Sequence, residues 1–161
     1  MILVIVGTEK YPFNRLVEKV DSLKSQGKIE DDLLIQTGST AFEPRSCQWQ
    51  RAFLFDRICE KIRDADLIIS HAGAGTTILA VEYGKKLILV PRKKELGEHV
   101  DDHQGQLADR IAKLGLAKVI HNIDDLEKYI DHGQMSGIPS FVHERSGELK
   151  GHIADLLKDW M

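Results

Sequence analysis

Cysteine is scarce: among 161 residues only Cys47 and Cys59 are present, twelve positions apart. That separation fits neither a disulfide framework nor a zinc-ligand pattern, and reduced thiols of a cytoplasmic protein are the simple expectation. Long apolar runs are also lacking. Ile2 to Val6 spans five residues and runs into Gly7-Thr8, too short for a signal peptide or a membrane span, so any membrane association is expected to come through a partner or a surface. Nor is there an excess of one charge. With 22 basic and 25 acidic residues the net charge is -3, which argues against a basic nucleic-acid-binding surface as the main function. No internal repeat or low-complexity tract is found. At 42% hydrophobic, the chain is long enough for one filled core and too short for two ordinary domains.

What is there alternates. Ile2 to Val6 reads as a strand buried on both faces, of the kind found in parallel sheets. After Gly7-Thr8, Phe13, Leu16, Val17, Val20 and Leu23 recur at helical spacing, and Gly27 closes that helix. Asp32 to Thr37 predicts a second strand. Residues 40–51 read as a loop, with a brief strand near Ala52 to Leu54. Asp56 is the expected cap of a helix with Ile58, Cys59 and Ile62 inward. Leu67 to Ser70 is the next strand, followed by a helix from about Thr76 to Tyr83 that Gly84 stops. Lys86 to Val90 is another strand, ended by Pro91. A polar loop, Arg92 to Asp101, leads to a helix with Leu107, Ile111 and Leu114 on one side. Ala117 to Ile120 predicts a last strand, and Asp124 to Glu127 caps a helix with Tyr129 and Ile130. The expected fold is α/β with a mostly parallel sheet and right-handed crossovers. A core unit over 1–133 is followed by a turn-rich linker and a helical tail over 134–161.

In such sheets ligands bind beyond the carboxyl ends of the strands. Three loops leave those ends and can meet there: Gly7-Thr8, His71 to Thr77, and Arg92 to Gln104. In His71-Ala72-Gly73-Ala74-Gly75-Thr76-Thr77, Gly73 and Gly75 let backbone approach a ligand, and two threonines stand at a helix start whose free N–H groups favour an anion. A plain strand-to-helix turn with threonine capping is the alternative. The stretch lacks the Gly-Lys-Ser/Thr of a P-loop and the third glycine of the dinucleotide fingerprint. Glu98-His99-Val100-Asp101-Asp102-His103-Gln104 concentrates carboxylates, imidazoles and an amide before a helix. Its Asp102-His103-Gln104 end suits hydrogen bonds to sugar hydroxyls; a solvated loop with Asp101 as helix cap and, less favourably, a metal site or acid/base pair are the other readings. Arg92-Lys93-Lys94 is read as a phosphate or partner contact or as a solvated charge run. Phe53 and Phe55 are read as a wall for a base or as core.

Together these stretches resemble the C-terminal, donor-binding half of the family 28 glycosyltransferases. The likeness covers about residues 1 to 130. It rests on Val6-Gly7-Thr8 with Pro12 to Val17, Ala65-Asp66 through Ser70 to Thr76, Val90-Pro91-Arg92, and Gly97 to Gln104. It extends to members consisting of that half alone, the soluble subunits of two-piece UDP-N-acetylglucosamine transferases and their bacterial exopolysaccharide counterparts. The resemblance implies a Rossmann-like half of a GT-B fold that binds a UDP-sugar without a metal or other cofactor. The diphosphate is expected at Gly73, Ala74, Gly75, Thr76 and Thr77, with Gly7, Thr8 and His71 beside it. His103 and Gln104 are expected to touch the sugar, Glu98, His99 and Asp102 to take part in donor binding, and Phe55, within Leu54 to Asp56, to lie near the uracil. Leu79 stands where relatives carry a ribose-binding acid, with Glu82 one turn later.

The acceptor site and, in most such enzymes, the catalytic base come from the other half. The expected function is thus the donor-binding subunit of an inverting transferase, passing N-acetylglucosamine or a related hexose or uronic acid to a lipid-linked acceptor in polysaccharide or glycolipid assembly. The partner is a membrane-associated acceptor-binding subunit, and a homodimer is a further possibility. His71 and Glu98 are the candidate bases. A non-catalytic subunit that enhances a partner transferase is the rival reading, and a nucleotide-sugar epimerase or hydrolase fragment a third.

Overall fold

A computed structural model describes residues 1–130 and 137–139. The expected tail and most of the expected linker lie outside the described residues. Six strands form one parallel sheet in the order β3-β2-β1-β4-β5-β6. They are β1 (Ile2–Ile5), β2 (Leu33–Gln36), β3 (Gln48–Gln50), β4 (Leu67–Ser70), β5 (Lys86–Leu89) and β6 (Lys118–Val119). The helices between them are α1 (Asn14–Ser25), α2 (Phe55–Asp64), α3 (Ala74–Glu82) and α4 (His103–Lys113), with a short α5 (Glu127–Ile130) after β6.

The continuous apolar strands have the reason expected of them, because both faces of the sheet are covered. On one face Ile2, Val4, Leu33, Ile35, Leu67, Ile69 and Ile88 pack under α1 and the segment Ile123–Ile130. On the other Leu3, Ile5, Ile68, Leu87 and Leu89 pack under α2, α3 and α4 through residues such as Ile62, Ala80, Leu107 and Ile111. Phe13 and Leu16 are fully buried, each such side chain contributing roughly 2–3 kcal/mol of burial. Ile138 adds to the first face.

Several local expectations are corrected. The edge strand is Gln48–Gln50, inside the stretch read as loop, rather than Ala52 to Leu54. Its outer residues are exposed, so it carries no apolar alternation to read; only Trp49 packs on the core. The second helix starts at Phe55 with Leu54 as its cap residue, and Asp56 lies in the first turn. Helix α3 starts at Ala74, two residues before Thr76. Leu114, expected inward on α4, is the residue after the helix and is 39% exposed. The last helix is preceded by a single 3₁₀ turn, Ile123–Leu126, capped by the Asn122 side chain accepting from the Asp124 N–H rather than by an aspartate.

The order of strands reverses between β1 and β4, which lie side by side with Ile5 opposite Ser70. In open parallel sheets the crevice at this reversal is where ligands sit. The loops β1–α1 and β4–α3 flank it, and β5–α4 stands next to them.

Candidate functional site

The β4–α3 turn is built around a buried histidine. The His71 N–H donates to the Ile5 carbonyl at 3.3 Å, and the ring Nδ1 meets the same oxygen at 3.2 Å. A carbonyl only accepts, so Nδ1 carries the proton and Nε2 is left as an acceptor. Burial pushes the imidazole down to about 4; the hydrogen bond to Ile5 and the charge of Glu9 oppose that, while Arg92 and His99 reinforce it. The ring is therefore neutral at pH 7. It lies between two glycines: a Cβ on Gly7 would meet Cε1 at 2.8 Å and one on Gly73 would meet it at 2.6 Å. Ala72 turns the chain with φ at +65°, a left-handed backbone that costs a non-glycine residue about 1 kcal/mol.

Beyond that turn α3 begins with Gly73 as its cap residue and no side-chain cap. Thr77 is fully buried and its hydroxyl turns back to the Gly73 carbonyl at 2.9 Å. The Thr77 N–H is the first to find a backbone acceptor, again Gly73 O at 3.1 Å. The N–H groups of Ala74, Gly75 and Thr76 thus stand at the positive end of a nine-residue helix without an intrahelical partner. Gly75 is exposed, and nothing lies within 4 Å of where its Cβ would be. Free donors and open space coincide there.

The β1–α1 loop is held from two sides. Gln36, 3% exposed, accepts from the Gly7 N–H at 3.0 Å and donates to the Gly7 and Arg51 carbonyls at 2.8 Å each. Gly7 itself has φ at +81°, a conformation open to glycine at no steric cost. Arg92 grips the other side. It is 2% exposed and donates to the carbonyls of Val6 at 2.6 Å, Tyr11 at 2.8 Å and Glu98 at 3.0 Å, and lies over the Phe13 ring. Thr8, at the loop's outer turn, is exposed.

This corrects the reading of Arg92-Lys93-Lys94 as one charge run: Arg92 is an interior strut, Lys93 is half-buried and Lys94 is exposed. Glu98 is likewise engaged. Its two oxygens receive Arg15 Nε at 2.9 Å and an Arg15 terminal nitrogen at 2.8 Å, and one also takes the Lys93 N–H at 2.9 Å. Glu98 is 5% exposed and its carboxylate is held by a bidentate guanidinium and a backbone N–H. The remaining residues of the loop do come together. Asp102 accepts from the Lys94 N–H at 3.1 Å, Asp101 accepts from the His103 N–H at 3.0 Å, and Gln104 Oε1 lies 3.4 Å from the Arg92 N–H. His103 and Gln104 thus open α4 beside the end of β5. His99 lies beneath them, between Glu9 and Asp101.

Phe53 and Phe55 are not core: Phe53 is half-buried and Phe55 is 69% exposed, next to Leu54 at 81%. Both sit at the start of α2. Among the described residues no group of three or more His, Cys, Asp or Glu side chains is arranged to hold a metal ion, and no helix is long and apolar enough to cross a membrane. Burial, with the charge of Asp21 adding to it, pushes the Cys47 thiol up to about 11, so it stays a thiol. Sequence reasoning passed over Gln36 and Arg15. An amide ending the buried run Leu33–Ile35, and an arginine between Phe13 and Leu16, were the available signals.

The model of the glycosyltransferase family 28 C-terminal domain matches residues 1–147 of the chain. The chain belongs to that family. Relatives of the domain include the UDP-N-acetylglucosamine transferase subunit ALG13 of Homo sapiens, 33% identical over 123 residues, which is 71% of this chain and 10% of the relative. The same subunit of Kluyveromyces lactis is 33% identical over 85 residues, 51% of this chain and 41% of the relative. The chain therefore spans less than half the length of these relatives. In fold, the family 28 domain described here is similar to the solution structure of an ALG13, with a TM-score of 0.61 at 18% identity, covering 98% of this chain and 96% of that one. It is also similar to the crystal structure of the glycosyltransferase of kitacinnamycin, with a TM-score of 0.60 at 16% identity, covering 98% of this chain and 39% of that larger one. The family 28 domain is thus the α/β, Rossmann-like half of a GT-B fold.

Proposed function

We propose that this chain is the donor-binding subunit of an inverting glycosyltransferase, taking a UDP-hexose such as UDP-N-acetylglucosamine. The observation that carries the reading is the coincidence at α3 of three N–H groups that lack an intrahelical partner with the open space over Gly75, at the sheet's reversal point. A diphosphate fits that place chemically, because the N–H groups and the helix dipole stabilise negative charge. As the sugar–phosphate bond breaks, charge develops on the departing UDP, and the same donors stabilise it without a metal ion. His103 and Gln104 at the start of α4 meet the sugar. The exposed Phe55 and Leu54 supply a face for the uracil. His71, neutral and walled by glycines, orients the turn and offers Nε2 as an acceptor.

Acceptor and base come from a membrane-associated partner, which places this chain in the cytoplasm at the membrane surface. Support for a partner comes from the relatives' name, which calls each of them a subunit, and from Leu96 and Val100, 54% and 57% exposed beside the same crevice. Isothermal calorimetry with UDP and UDP-N-acetylglucosamine tests the reading. Gly75→Val, which fills the open space, and Gln104→Ala are each expected to weaken UDP-N-acetylglucosamine binding at least tenfold, about 1.4 kcal/mol. No measurable affinity of the wild type for any uridine nucleotide would overturn it. If transfer by the assembled heteromer survives loss of both His103 and Gln104, the chain is instead a non-catalytic enhancer of its partner.

A further inference from the structure

His99 joins two of the loops that border the crevice. Its Nε2 lies 3.2 Å from Glu9 Oε2 in the β1–α1 loop, and its Nδ1 lies 3.1 Å from Asp101 Oδ1 in the β5–α4 loop. The ring packs against Tyr11 with centroids 5.8 Å apart, and the side chain is only 15% exposed. Asp101 passes the connection on. The oxygen that faces His99 also accepts the His103 N–H at 3.0 Å, and its other oxygen lies 3.6 Å from His103 Nδ1. His103 is the first residue of α4. A carboxylate only accepts, so a singly protonated ring donates to one of the two; with the proton on Nε2 toward Glu9, Nδ1 accepts the Asp101 N–H at 3.4 Å, and the path of polar contacts runs unbroken from Glu9 through His99 and Asp101 to the helix start that carries His103 and Gln104.

The other fixings of these loops reach different elements. Gln36 holds the β1–α1 loop at Gly7, Arg92 holds it at Val6 and Tyr11, the Ser39 hydroxyl donates to the Glu9 carbonyl at 2.7 Å, and Arg15 holds Glu98. Among the described residues, His99 is the contact that ties Glu9, at the loop's exposed tip, to the start of α4. None of its hydrogen bonds involves the β4–α3 turn or the beginning of α2.

We propose that His99 is a positioning residue, which locks the tip of the β1–α1 loop to the start of α4 and so sets the affinity for the sugar portion of the donor without touching the nucleotide portion. The proposal rests on the donor-binding reading above. Both a direct sugar contact and a positioning link would spare UDP, but only a link is shared with Glu9 and, when cut, loosens both loops together.

The test is calorimetry of the full chain with UDP and UDP-N-acetylglucosamine, alongside hydrogen exchange of the unliganded protein. His99→Ala is expected to weaken UDP-N-acetylglucosamine about tenfold, in the usual range of site coupling, and to leave UDP within about twofold. Glu9→Gln shifts affinity in the same direction, and the double variant binds no more weakly than His99→Ala alone, because both substitutions cut one path. In His99→Ala, amide exchange accelerates at residues 8–11 and at 101–104 together, with an unchanged unfolding midpoint. Equal losses for UDP and UDP-sugar, or additive losses in the double variant, would overturn the proposal. If the wild type binds no uridine nucleotide, the donor reading fails by itself, and the exchange decides: coupled acceleration in both segments upholds the link, and unchanged exchange at 8–11 refutes it.

Discussion

Replacing Gly73 by alanine isolates the packing that shapes the candidate site. Gly73 has φ at -68° and ψ at 134°, which alanine adopts freely, so no backbone strain enters. The added methyl, however, arrives 2.6 Å from His71 Cε1 and closer still to Nε2, well inside van der Waals contact. The ring has little room to retreat, being 7% exposed, tied to the Ile5 carbonyl and backed by Gly7. Overpacking of this kind costs about 1–3 kcal/mol. Gly75 is the internal control two residues later. Its Cβ meets nothing within 4 Å and lies in the first turn of α3, so alanine there is neutral or stabilises by about 0.5–1 kcal/mol through helix propensity and reduced freedom of the unfolded chain. The two alanine variants should therefore differ by roughly 1–4 kcal/mol, read as urea midpoints at a common slope. In the pair Gly73→Ala with His71→Ala the clash disappears, and a coupling of about 1 kcal/mol or more is expected from a double-mutant cycle. Equal midpoints for Gly73→Ala and wild type, or strictly additive effects with His71→Ala, would refute the argument.

Two further outcomes follow from buried groups. His71 is depressed from an ordinary 6.5 to about 4 by burial, so the unfolded chain binds the proton that the folded chain refuses. Its contribution is complete above about pH 6.5 and is lost as pH falls through the folded value near 4, amounting to about 3 kcal/mol. The difference in urea midpoint between wild type and His71→Asn should shrink steadily from pH 7 to pH 4.5, and a constant difference would contradict the sign. Arg92→Met strips donors from the Val6, Tyr11 and Glu98 carbonyls in a site 2% exposed. A loss of about 3 kcal/mol or more is expected, comparable to breaking a buried charged network; a change under about 1 kcal/mol in thermal or chemical unfolding would show the strut to be dispensable.

The alternation of apolar strands with amphipathic helices was legible because parallel strands buried on both faces leave uninterrupted runs, as at Ile2 to Ile5 and Leu67 to Ile69. The edge strand Gln48–Gln50 was not, since a half-exposed edge has no period to read. Of the candidate site, the glycine turn and His103-Gln104 were visible as types in a pattern, and the loops do converge. The partners of Glu98, Arg92 and Thr77 were invisible: a charged or hydroxyl side chain looks the same in sequence whether it faces a ligand or an interior carbonyl.

Sequence alone thus determined the α/β class, the order of most elements and the loops that converge at one end of the sheet, which depend on local periodicity and on glycines that a tight turn requires; the family showed in the sequence as a resemblance of motifs. Tertiary structure decided which polar groups remain available. The Gly75 end of α3 stays open, whereas Glu98 is taken by Arg15, Arg92 by four backbone carbonyls including Pro12 at 3.4 Å, and His99 by Glu9 and Asp101. The physical reason is that a hydrogen bond satisfies a donor only once, and its partner here comes from a distant part of the chain that only folding brings within reach.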